Sequence, residues 1–237
     1  MSEMIEESPK TGEPGPGAEP TPTGGSAGAG ETTMSPRASL LRAGSRSLVL
    51  SGLVATPVGL LTLLYPPAVD ETLWGHPFDR NTHVAVSIVL VLVHLLKAHG
   101  FVALSRVPGA GRVTQVAMLV AALGFVIVAS CEGISASLFG VPITSTEAIN
   151  LNDGYGAGSM IFAVASMVGG TTIIRKQLLA GSGRWSVLLS GAFMIFVVTP
   201  ALLAGRGPAA YLALTGWSLF YIWIGRALSI TLSARHL

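Results

Sequence analysis

From residue 47 onward the chain alternates long, continuous apolar stretches with short polar or charged ones. Six of the apolar stretches, at 47–65, 82–105, 113–135, 154–174, 185–204 and 208–230, are long enough to cross a bilayer. The hydrocarbon core is about 30 Å thick and a helix rises about 1.5 Å per residue. Helices satisfy their own backbone groups in lipid, whereas a β-barrel needs alternating strands of about ten residues, and these runs do not alternate. The pattern therefore predicts an all-α fold: a polytopic membrane helix bundle of six transmembrane helices, occupying residues 37–237.

The segment before it, 1–36, is dense in proline and glycine and lacks Leu, Val and Phe. Such a segment cannot bury enough apolar surface to offset its ordering entropy, which predicts a disordered tail. It also lacks the basic start and short apolar core of a secretory signal. Met4 and Met34 are alternative start positions.

Charge sets the expected orientation. Arg37, Arg42 and Arg46 precede the first stretch. Arg106 and Arg112 follow the second, Arg175, Lys176 and Arg184 follow the fourth, and Arg235 lies at the end. Only Arg80 and Arg206 fall in the other loops, where Asp70, Glu71, Asp79, Glu147 and Asp153 gather. Basic loops stay in the cytoplasm, so both termini are expected there, in a multi-pass protein of the cell membrane. Trp185 at one interface and Tyr65, Trp74 and Tyr211 at the other fit aromatic belts, and Arg226 reads as an anchor reaching the inner interface.

Composition agrees. Half of the 237 residues are hydrophobic and 11% are charged, against about 25% charged in a soluble domain. A net charge of +2 gives no footprint for nucleic acid, and one cysteine, Cys131, excludes a disulfide framework. Its apolar surroundings predict packing. There is no phosphate-binding glycine-lysine loop, no HExxH and no CxxC, and histidines within the apolar core are confined to the second stretch, which argues against a haem held between helices. No cofactor is expected. The fourth stretch carries Gly154, Gly156, Gly158, Ser159, Ala163, Ser166, Gly169 and Gly170. Small residues at that spacing allow close helix approach, to other spans or to a second copy or membrane partner. Thr144–Glu147 has the capping-box pattern, predicting a short surface helix that stops near Asn152, Asp153 and Gly154. Thr56-Pro57 and Thr199-Pro200 follow similar Ser-Gly segments in the first and fifth stretches, a faint echo in which each proline is expected to kink its span.

Polar residues inside a span are costly and default to functional hypotheses. On the second stretch His83, Ser87, His94 and roughly Lys97 share one face. Glu132, the acidic residue within a span, is expected at the depth of His83, and the two to pair. These five form a candidate intramembrane polar site. His76, Asp79 and His83 offer a weaker set of metal donors. The absence of catalytic motifs makes a non-enzymatic membrane subunit or partner-binding protein the first expectation. The alternatives are a small-solute or proton transporter using the polar stripe, and an enzyme acting at the outer surface.

Overall fold

The computed structural model describes residues 35–205 and 207–234. The expectations for the tail at 1–34 and for Arg206 and Arg235 lie outside these residues. Among the described residues the chain is helical throughout, with one isolated bridge, Leu73 to Pro142, and no strand.

Six helices follow one another: α1 (Pro36–Leu64), α2 (Arg80–Ser105), α3 (Arg112–Ser135), α4 (Thr146–Arg175), α5 (Gly181–Leu203) and α6 (Pro208–Ala234). The first five are long and apolar enough to cross a membrane. The expected sixth span is long enough, at 27 residues. Tyr211, Trp217, Tyr221, Trp223 and Arg226 interrupt its apolar run, and it is not among the helices that are apolar enough to cross.

Local chemistry fixes the ends. Pro36 opens α1, where a missing N–H costs nothing, and the Ser35 hydroxyl accepts from the Ala38 N–H at 3.3 Å. Ser145 caps α4 in the same way at 3.2 Å, with Glu147 in the first turn. The short surface helix expected there does not stop at Gly154. It runs unbroken into the span, giving 30 residues, about 45 Å. Ala148 and Leu151 hold the extra turns by burying against Trp74 and Cys131. That apolar anchor outweighs the breaking tendency of Asn152, Asp153 and Gly154.

Each helix packs on its neighbours in sequence, and α6 closes the ring against α1. Glycines permit the close approaches. A Cβ built at Gly225 on α6 would lie 2.7 Å from the Ser45 carbonyl oxygen of α1. The Ser45 hydroxyl in turn donates to the Gly225 carbonyl at 2.8 Å. The two Thr-Pro sites behave differently. α1 stays α-helical through Pro57. In α5 the turn before Pro200 widens into a π segment, Met194–Val198, and the Thr199 hydroxyl donates to the Met194 carbonyl at 2.9 Å. Proline lacks the N–H and crowds the carbonyl four residues back, and a widened turn relieves both.

The bundle has two unlike ends. At one, Arg37 donates to the Arg106 carbonyl at 2.8 Å and the Ala180 N–H donates to the Thr231 hydroxyl at 2.9 Å. The start of α1 and the end of α6 therefore lie at the same end, with Arg106, Arg112, Arg175 and Lys176. At the other, the 65–79 and 136–145 loops are knitted together: the Trp74 N–H donates to the Val141 carbonyl at 2.7 Å and the Ile143 N–H to the Thr72 carbonyl at 2.9 Å. Trp74 is not at a lipid interface, as its place in the sequence suggests. It is buried, and its indole N–H donates to the Ser135 hydroxyl at 2.8 Å.

Asp79 anchors this end. Its carboxylate accepts from the Tyr65 hydroxyl at 2.5 Å, the Thr82 hydroxyl at 2.7 Å, and the N–H groups of Asn81 at 3.0 Å and Thr82 at 3.1 Å. The Tyr65 bond, then the Thr82 bonds, hold this carboxyl well below its ordinary 3.8. A carboxyl held down in the folded state contributes stability that is complete above its unfolded value and is lost as pH falls toward the folded one. Acidification from about pH 6 to about pH 3 is therefore expected to lower the melting temperature of the wild type more than that of Asp79→Asn. Equal falls would mean that the carboxylate contributes nothing.

Candidate functional site

The buried face of α2 carries His83, Ser87, His94 and Lys97. Lys97 is 2% exposed, among the most deeply buried large side chains of the bundle. Its ammonium reaches across the ring to α6, 4.5 Å from the Trp217 ring centroid and 4.4 Å from that of Tyr221, with Phe125 of α3 at 5.7 Å. Phe101 and Phe162 complete an aromatic cluster around Phe125, at 5.4 and 4.5 Å between centroids. The cation thus meets the electron-rich faces of three rings contributed by two other helices.

One turn earlier, His94 stacks on Phe125 at 6.2 Å, and its Nδ1 lies 2.8 Å from the Leu90 carbonyl. A carbonyl can only accept, so Nδ1 carries the proton. The Tyr221 hydroxyl is buried with no hydrogen-bond partner among the described residues. Ser166, on α4, has a hydroxyl in the same condition.

Glu132 lies on α3 within electrostatic reach of Lys97, and faces the Tyr155 hydroxyl of α4. The expected pair of Glu132 with His83 is not the contact that forms. His83 Nε2 donates to the Ser135 carbonyl at 3.0 Å, three residues further along α3. Counting residues at constant rise misplaced His83 by nearly one turn. The Trp74 indole bonds the Ser135 hydroxyl while His83 bonds its carbonyl, so the loop and the start of α2 meet the end of α3 at one residue.

The weaker metal set is dispersed. His76 Nδ1 is 2.9 Å from the Val69 carbonyl, Asp79 caps α2, and His83 is bound to Ser135. Among the described residues no group of three or more His, Cys, Asp or Glu could hold a metal ion. Cys131 packs with Trp74, Ala148 and Leu151. Most glycines of α4 serve the chain's own packing. A Cβ at Gly158 would meet the Gly124 carbonyl of α3 at 2.9 Å, and one at Gly170 the Leu188 N–H of α5 at 2.5 Å. Gly156 has open space around it.

Phe125, Tyr155, Trp217 and Tyr221 are the members of this site that reasoning from the sequence omits. The signal for the tryptophan and tyrosine on α6 is their position. They stand one turn apart near the middle of α6, away from its ends, whereas aromatic belts form at helix ends.

No protein-family model, curated protein or solved structure matches this chain.

Proposed function

We propose that the chain is a six-span membrane protein with both ends in the cytoplasm, and that it moves protons, alone or coupled to a small solute, along the row Glu132, Lys97 and His94. Arginines and a lysine at the end where α1 starts and α6 finishes support the orientation. One observation carries the functional reading: an ammonium group held at the bundle centre by aromatic faces, beside a histidine and within reach of a carboxylate. A buried charge costs several kcal/mol (order of magnitude) even after relaxation, and cation–π contact returns about 2 kcal/mol at best. Membrane bundles keep such groups on ion and proton paths. The orphaned Tyr221 hydroxyl supports the same reading, since buried polar atoms in native cores normally find a partner in protein or water. His83 and Ser87 extend the row toward the loop-rich end.

The test is proton flux into vesicles containing the purified chain, under an imposed pH gradient and followed by an internal pH dye. Flux above that of empty vesicles is expected, and His94→Ala and Glu132→Gln are each expected to slow it by about tenfold or more. Wild-type flux equal to empty vesicles, or variants as fast as wild type, would sink the reading.

A second reading, a non-catalytic subunit meeting a partner or a second copy through α4, is favoured by the outward-facing Gly156 and Ala157. It predicts a fixed-stoichiometry complex by native mass spectrometry of gently extracted protein.

A further inference from the structure

A groove of about 460 Å³ opens on the outside of α6, at the end of the bundle that carries most of the basic residues. Its floor is the Gly181–Trp185 turn that begins α5, and its wall is one face of α6. Leu219, Ile222 and Arg226 lie along that wall at spacings of three and four residues, one above another on the helix. Ser182 stands on the floor. Gly183 allows the approach: a Cβ there would collide with Ala227 of α6, so a larger residue would push the floor from the wall.

The groove is therefore polar and cationic beside Arg226 and Ser182 and apolar along Ile222 and Leu219. Among its described lining residues Arg226 alone is charged, and its side chain is exposed. An arginine that served only to anchor α6 would need no groove beside it. The chemistry that fits is an amphipathic anion, with an oxyanion on the guanidinium and the Ser182 hydroxyl and a hydrocarbon chain along Ile222 and Leu219. A zwitterionic headgroup brings an ammonium as well, and the described lining offers that group no carboxylate. We propose that this groove is a binding site for an anionic phospholipid of the membrane itself. The inference requires α6 to lie in the bilayer, as in the six-span reading, and is independent of the proton path.

Native mass spectrometry tests it. The full chain is released from bilayers of phosphatidylglycerol and phosphatidylcholine in equal amounts, and the retained lipid is weighed. The wild type is expected to retain phosphatidylglycerol over phosphatidylcholine by about fivefold, the discrimination typical of one basic residue at a membrane surface. Arg226→Gln is expected to remove the preference, and Arg175→Gln to leave it intact. Leu219→Trp fills the apolar end at an exposed position without touching the core, and is expected to reduce retention while Arg226 is still present. Equal retention of the two lipids by the wild type, or an undiminished preference in Arg226→Gln, overturns the proposal. Displacement of phosphatidylglycerol by inorganic phosphate alone also overturns it, because the site would then read a free anion rather than a lipid.

Discussion

Lys97→Met is expected to raise the stability of the protein while abolishing the proposed proton flux. Methionine matches lysine in length and flexibility and presents a polarisable sulfur to aromatic rings. At position 97 it would keep the contacts with Trp217, Tyr221 and Phe125 and drop the charge. Replacing buried ionic groups by apolar residues of similar volume is often neutral or stabilising, by about 1–4 kcal/mol. For a chain of this size each kcal/mol moves the melting temperature by about 2–4 °C. Thermal unfolding in detergent reads the first half of the prediction and vesicle flux the second. A lower melting temperature would assign the ammonium a structural role and remove the main support for the proton path. A stable variant with intact flux would separate the cluster from transport altogether.

The second large effect is expected at Gly124→Val. A Cβ there would lie 2.6 Å from the Gly158 carbonyl oxygen and 2.8 Å from the Phe162 backbone nitrogen. Both obstacles are main chain and cannot rotate aside, so α3 and α4 must separate. Phe162 then draws away from Phe125, and the rings that pack beneath Lys97 lose their fit. Overpacking of this kind costs about 1–3 kcal/mol, and more where backbone has to move. Gly156→Ala on α4 meets nothing within 4 Å. It is expected to gain about 0.5–1 kcal/mol from restricting the unfolded chain. The two melting temperatures should move in opposite directions. A Gly124→Val protein that melts with the wild type would mean that the helices do not approach so closely.

How far these features were readable from the chain depends on whether they are local. The helices announce themselves through continuous apolar runs, and α2 and α3 begin within two residues of where those runs suggest. The start of α4 does not. Asn152, Asp153 and Gly154 look like a stop, and only the burial of Ala148 and Leu151 against a distant loop tryptophan overrides them. The shared face of His83, Ser87, His94 and Lys97 follows from helical period alone. What those residues touch does not, because two of the three rings around Lys97 arrive from α6, more than a hundred residues later. The meeting of His83 with Ser135 likewise depends on how two helices and a loop pack in three dimensions, which residue counting does not contain.

The join between α1 and α6 has a consequence for the order of events during synthesis. The Ser45 hydroxyl and the Gly225 carbonyl that bond across it are separated by 180 residues of chain. At roughly 5–20 residues per second, the ribosome takes roughly 10–35 s to deliver the second after the first. Throughout that interval α1 has α2 for company, but its other face waits unmatched. The bundle therefore cannot assemble to completion from its beginning. Its last helix to emerge is the one that shuts the circle, and in the same step brings Trp217 and Tyr221 to Lys97.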